Sequence, residues 1–153
     1  HRLAKLHRAF SVFAMNNKNE ILLQRRALHK YHSGGLWTNT CCSHPRDGES
    51  VEEAARRRLM EEMGFTCAVK RVFSFIYKAE LDNDLTEHEL DHVLIARWND
   101  DPEVNPEEVD SFDWKSVDWV ANDMKNNPDR YTEWFKIIYD RFLNYWNNED
   151  HGL

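Results

Sequence analysis

Two runs near the start of the chain carry the spacing of β-strands: His7 to Met15 (HRAFSVFAM) and Glu20 to Arg26 (EILLQRR). The polar NNKN at Asn16 to Asn19 between them predicts a hairpin turn. The second run leads into Arg25, Arg26 and Lys30, then a loop with Gly34 and Gly35. Standing alone, those cations read as a solvated edge. From Val51 the period changes. Val51, Ala55, Leu59 and Met63 repeat every fourth residue, which predicts a helix with one packed stripe. Ser50 followed by Glu53 is a capping box, and Gly64 is a fitting C-terminal stop. Arg57 with Glu61, and Arg58 with Glu62, are spaced as weak ion pairs on the helix's exposed flanks.

The alternation returns at Val69 to Leu81, where Phe73, Phe75 and Tyr77 share a face. Asp82 to Thr86 is a polar loop, and His88 to Trp98 (HELDHVLIARW) reads as a strand with an apolar centre. Asn99 to Asp110 (NDDPEVNPEEVD) is an acidic, proline-punctuated loop. A short strand at Phe112 to Trp114 precedes a helix around Ser116 to Lys125. A last amphipathic helix, about Thr132 to Trp146, turns its bulky residues to the core. There is no internal repeat, low-complexity tract or linker. At 153 residues the chain reads as a single domain, 1–153, burying roughly two-thirds of its unfolded surface. The mixed order predicts an α+β fold, an α/β/α sandwich-like arrangement with a curved mixed β-sheet flanked by helices.

Composition narrows the partners. A net charge of -7 and a pI near 5.6 argue against nucleic acid or an anionic membrane. An anionic ligand therefore needs a local basic pocket or a metal ion. No apolar run approaches the roughly 20 residues of a membrane span, and no signal peptide is visible. The chain opens at His1 without a methionine, so we expect residues before it. The three cysteines are odd in number and two are adjacent, which fits a reducing, cytoplasmic compartment rather than a disulfide framework.

The chemistry concentrates in Trp37 to Pro45 (WTNTCCSHP), read as a loop. Cys42 lies two residues before His44, a potential metal ligand. Glu87 and Glu89, two apart, point to one face of a strand. His1, His7, His44, Glu87 and Glu89 form a nitrogen and oxygen donor set that suits Mn²⁺, Mg²⁺, Zn²⁺ or Fe²⁺, and not a closed thiolate site. Spacing does not separate these histidines from His29, His32, His92 or His151. A lone cysteine is usually a small buried hydrophobe. Near a metal and arginines, Cys42 is expected to have a lowered pKa and to act as acid or base. Cys41 would point the other way, and spacing does not choose between them.

TNTCCSHP, the helix ending EEMG, the later EHELDH and the late EWFKII together resemble type I isopentenyl diphosphate isomerase, a divergent branch of the Nudix fold. The likeness covers nearly the whole chain. The Nudix signature can be laid on Ser43 to Phe65, with Ser43 at the glycine, Glu49 at the first glutamate and Arg57 at the arginine. Arg58 replaces the next glutamate, and Leu59, Glu61, Glu62, Gly64 and Phe65 then match. A cation in place of a carboxylate removes a metal ligand, which disfavours hydrolysis and helps diphosphate binding.

The resemblance implies that Cys42 is the catalytic thiol and Glu89 the catalytic carboxylate, assisted by Tyr77. It places His1, His7, His44, Glu87 and Glu89 around a metal ion (Mn²⁺, Mg²⁺ or Zn²⁺), and Glu62 on a Mg²⁺ that arrives with the substrate. Arg26, Lys30 and Arg58 grip the diphosphate, and Trp134 covers the hydrocarbon end. The reaction implied is reversible conversion of isopentenyl to dimethylallyl diphosphate through a tertiary carbocation. Glu89, relayed through Tyr77, supplies a proton, and Cys42 accepts one as thiolate. Trp134 and Trp37 stabilise the cation, and the roles reverse with direction. A nucleotide pyrophosphohydrolase is the alternative favoured by Glu49, Glu61 and Glu62. A non-catalytic binding module is the third. The expected partner is the small diphosphate alone, and the expected state a monomer.

Overall fold

The computed structural model describes residues 6–81 and 85–148, so His1 lies outside the described residues. Seven strands form one mixed sheet: β1 (His7–Met15), β2 (Glu20–Arg26), β3 (Trp37–Thr38), β4 (Cys41–Ser43), β5 (Val69–Glu80), β6 (Thr86–Arg97) and β7 (Val109–Ser116). Three α-helices accompany them: α1 (Val51–Met63), α2 (Val117–Asn126) and α3 (Glu133–Asn148). A 3₁₀ turn at Pro128–Arg130, not foreseen from the sequence, joins the last two. No helix of the described residues is long and apolar enough to cross a membrane.

The predicted hairpin forms at Asn16 to Asn19, but β1 and β2 pair only at its base, Met15 against Ile21. Beyond that pair the two strands part. β1 takes β4 on one edge, Ser11 opposite Cys42, and β6 in parallel on the other, His7 opposite Glu89. β2 takes β7 and β3 instead. A sheet that opens in this way leaves a cavity between its halves.

Strand alternation then sorts the core into two layers. Phe13 and Met15 face α2 and α3, packing with Phe135, Tyr139 and Phe142. Phe10, Val12 and Ala14 face α1, packing with Ala55, Leu59 and Met63. Helices therefore cover both faces of the mixed sheet, the α+β sandwich expected.

α1 begins and ends as its residues dictate. The Ser50 hydroxyl accepts from Glu53 N at 3.1 Å, while Glu53 Oε1 accepts from Ser50 N at 2.9 Å. Gly64 closes the helix at φ 73°, a left-handed conformation that costs glycine little. Its missing side chain also matters, because a Cβ there would meet Glu103 O at 2.5 Å.

Several boundaries differ from the sequence reading. Trp37 to Pro45 is not simply a loop: it holds β3 and β4, short strands recruited by β2 and β1. β6 begins at Thr86, and β7 spans eight residues because β2 supplies a partner along most of its length. Ser116 caps α2 rather than belonging to it.

Candidate active site

The cavity holds about 210 Å³ and is lined from β1, β2, β4, β5, β6, α1 and, through Trp134, α3, with Lys30, His32, His44 and Glu108 contributed by flanking segments. The pleat settles which cysteine faces it. Cys41 is fully buried on the α1 side, and Cys42 lines the cavity.

The Cys42 thiol donates to Asn39 Oδ1 at 3.0 Å and lies 3.5 Å from Ser11 Oγ. Asn39 can present only its oxygen, since its amide nitrogen donates to Val12 O and Cys41 O at 3.0 and 3.1 Å. Ser11 Oγ in turn donates to Asp91 Oδ1 at 3.1 Å. The expected lowering of the Cys42 pKa is therefore corrected. Burial, then the nearby Asp91 charge, push the thiol up to about 12.

Glu89 is 3% exposed. Its Oε1 lies 2.9 Å from His44 Nε2, and its Oε2 is buried with no hydrogen-bond partner among the described residues. The hydrogen bond to Glu89 raises the His44 pKa. Burial and the neighbouring Glu89 raise that of Glu87. The Tyr77 hydroxyl donates to Glu87 Oε1 at 3.3 Å, so it contacts Glu87 rather than Glu89. Burial and the surrounding carboxylates drive the phenol's pKa far up, leaving Tyr77 neutral.

His7, His44, Glu87 and Glu89 share a second, more open notch, with the His7 and His44 rings 6.4 Å apart. Among the described residues, no three such donors already converge on one point. The donor set nonetheless suits a hard or borderline cation. Glu89 has a buried, unpartnered oxygen, and the two carboxylates repel each other.

At the other end stand the cations. Arg26 Nη2 donates to His32 O at 3.2 Å, and the guanidinium lies 5.2 Å from the Trp134 ring centroid. Burial lowers the Arg26 pKa. Arg26 and Lys30 thus line the pocket rather than a solvated edge, whereas Arg25 stays on the edge, paired with Asp110 at 3.4 Å. One Trp134 face is already occupied. Trp37 lines a separate notch with Leu23, Trp119 and Tyr131, and does not line the Cys42 cavity.

The Arg58–Glu62 pair is not an exposed flank, as its spacing predicted. Glu62 is 5% exposed, its Oε2 lies 2.5 Å from Arg58 Nη2, and its Oε1 accepts from Gln24 at 2.8 Å. Burial raises its pKa despite Arg58. The Arg57–Glu61 pair does sit on the surface, at 3.1 Å.

The NUDIX domain family model matches residues 5–135. "Isopentenyl-diphosphate Delta-isomerase 2" from Photorhabdus laumondii is 54% identical over 138 residues, covering 90% of this chain and 78% of that protein. "Isopentenyl-diphosphate Delta-isomerase" from Pectobacterium atrosepticum is 47% identical over 146 residues, covering 95% and 82%. The chain belongs to the isopentenyl-diphosphate Delta-isomerase family, within the Nudix fold. Among solved structures, the MutT protein from Methanosarcina mazei Go1 superposes with a TM-score of 0.74 at 18% identity, covering 94% of this chain and 96% of that one, a likeness of fold.

In this isomerase-family chain the first glutamate of the Nudix box makes a structural contact. Glu49 holds Arg57 through two bonds of 2.8 and 3.0 Å, latching the preceding loop to α1, and does not line the cavity. The isomerase-family site also contains residues the sequence reading missed. Asp91 follows Glu87 and Glu89 at the same alternating spacing, a signal that was available. Ser11, Gln24 and Glu108 carry no local signal, because long-range pairing alone brings them to the cavity, while Asn39 sits behind Cys42 and reaches it across three positions.

Proposed function

We propose that the chain catalyses the reversible isomerisation of isopentenyl diphosphate to dimethylallyl diphosphate. The observation that carries this reading is that Cys42 and Glu89 open into one cavity from β4 and β6, strands on opposite edges of β1. A double-bond shift by proton addition and loss needs a donor and an acceptor around one small hydrocarbon.

Burial leaves the Cys42 thiol protonated at rest. In this reading Cys42 delivers a proton to the terminal alkene carbon, forming a tertiary carbocation, and Glu89 removes one from the carbon nearer the diphosphate, the opposite of the direction the resemblance implied. The reverse reaction exchanges the two roles. Tyr77 orients Glu87 through its hydroxyl. Trp134 closes the hydrocarbon end, where a ring near the cation contributes about 2 kcal/mol when water is excluded. Arg26, Lys30 and Arg58 hold the diphosphate.

Five carboxylates line this cavity (Glu62, Glu87, Glu89, Asp91, Glu108) against three permanently cationic side chains. An anion therefore needs added positive charge to enter. His7, His44, Glu87 and Glu89 would hold one Mn²⁺, Mg²⁺ or Zn²⁺ ion, with His1 as a further ligand, and Glu62 a Mg²⁺ accompanying the diphosphate. When bound, the first ion would offset the charge of the carboxylate pair. The substrate is thus a small metal-complexed diphosphate, and we infer a monomer working in the cytoplasm.

The test is proton NMR of isopentenyl diphosphate with the protein and Mg²⁺ in D₂O. Deuterated dimethylallyl diphosphate without free phosphate is expected. Phosphate or pyrophosphate release from a nucleotide, with no isomerisation, would replace this reading with a Nudix hydrolase.

A further inference from the structure

Glu108 entered none of the sequence expectations, yet its carboxylate faces the cavity. It is the last residue before β7, and its backbone is held on both sides. Asn105 N donates to Glu62 O at 2.9 Å, tying this loop to the end of α1. Asn105 O accepts from Glu108 N and Val109 N at 2.9 and 2.8 Å, while Glu108 O accepts from Ala27 N at 3.1 Å. The side chain is thereby aimed between two of the cations assigned to the diphosphate. Glu108 Oε2 lies 2.9 Å from Lys30 Nζ, and Oε1 lies 2.6 Å from Arg58 Nη2. The same Arg58 nitrogen is 2.5 Å from Glu62 Oε2. An arriving anion finds both cations already neutralised, with two carboxylates close to the oxygens it would bring.

We propose that Glu108 is a specificity-determining residue of the anion subsite, making entry of a diphosphate conditional on a divalent cation bound to it. The proposal rests on reading this cavity as a diphosphate site. A bare anion must compete with Glu108 for Lys30 and Arg58 while feeling its charge at close range. Mg²⁺ is typically held by one or two carboxylates together with substrate phosphates. Glu62 and Glu108 would hold an ion arriving on the diphosphate, and Lys30 and Arg58 would then be free to bind the phosphate oxygens. Free phosphate, sulfate and metal-free pyrophosphate are thereby rejected.

Calorimetric titration of the full chain with inorganic pyrophosphate, in Mg²⁺ or in EDTA, tests this on the wild type, Glu108→Gln and Glu108→Asp. The wild type is expected to bind pyrophosphate well only with Mg²⁺. Glu108→Gln is expected to bind metal-free pyrophosphate about tenfold tighter than the wild type, narrowing the metal dependence, while Glu108→Asp, which keeps the charge, retains it. A purely structural role for Glu108 would instead weaken binding under both conditions. If Glu108→Gln binds metal-free pyrophosphate no better than a metal-dependent wild type, the gating role is overturned alone. If the wild type binds no pyrophosphate even with Mg²⁺, the diphosphate reading and the gate fall together.

Discussion

Cys42 Sγ lies 3.0 Å from Asn39 Oδ1, an oxygen fixed in place because the Asn39 amide nitrogen is committed to two backbone carbonyls. A thiolate there would face an acceptor, and a thiol finds a partner. Cys42 should therefore react with iodoacetamide at pH 8 more slowly than glutathione, as mass spectrometry of the labelled peptide would record. Faster labelling would contradict a protonated resting thiol. Cys42→Ala should abolish deuterium incorporation into isopentenyl diphosphate and leave the melting temperature nearly unchanged.

Arg58 binds Glu61, Glu62 and Glu108 at 2.7, 2.5 and 2.6 Å. Arg58→Ala strands the buried Glu62 beside Glu108. Removing one partner of a buried ion pair costs about 3–5 kcal/mol, and the lower end applies here because Gln24 still donates to Glu62. Urea denaturation at pH 7 checks it. A cost near zero would return the pair to the class of weak surface bridges.

Gly64→Ala should destabilise the fold by about 1–3 kcal/mol, since alanine must adopt φ 73° with its Cβ against Glu103 O. The same denaturation measures this. Activity per folded molecule should hold, because Gly64 does not line the cavity.

The His44–Glu89 contact predicts a pH dependence in metal-free protein. The folded His44 pKa is raised above the ordinary 6.5, chiefly by its hydrogen bond to Glu89. Its stabilisation is therefore complete below pH 6.5 and is lost as pH rises through the folded value. Stability measured in EDTA should fall from pH 6 toward pH 8 in the wild type, and less so in His44→Gln. Adding Mn²⁺ should raise the melting temperature of the wild type, with stabilisation of about 2.7 kcal/mol at one hundred times the dissociation constant. His44→Gln should largely lose that response.

How much of this was legible depends on the range of the interactions. The Ser50–Glu53 capping box, the Gly64 stop, the α1 stripe and the Asn16 to Asn19 turn involve residues within a few positions of one another. Their geometry follows from local sterics and hydrogen bonding, so the sequence by itself determined them. It also offered candidates for the chemistry: Cys42, His44, Glu87 and Glu89 stood out by residue type, spacing and the family's motifs, and the fold brings them to the cavity and its adjoining notch. The tertiary structure alone decided their surroundings. Lys30 meets Glu108 across 78 positions, and Ser11 meets Asp91 across 80. Burial of Glu62 and the upward shift of the Cys42 thiol follow from what the opened sheet packs around them. Desolvation and charge proximity depend on distance in space, to which spacing along the chain gives no direct access.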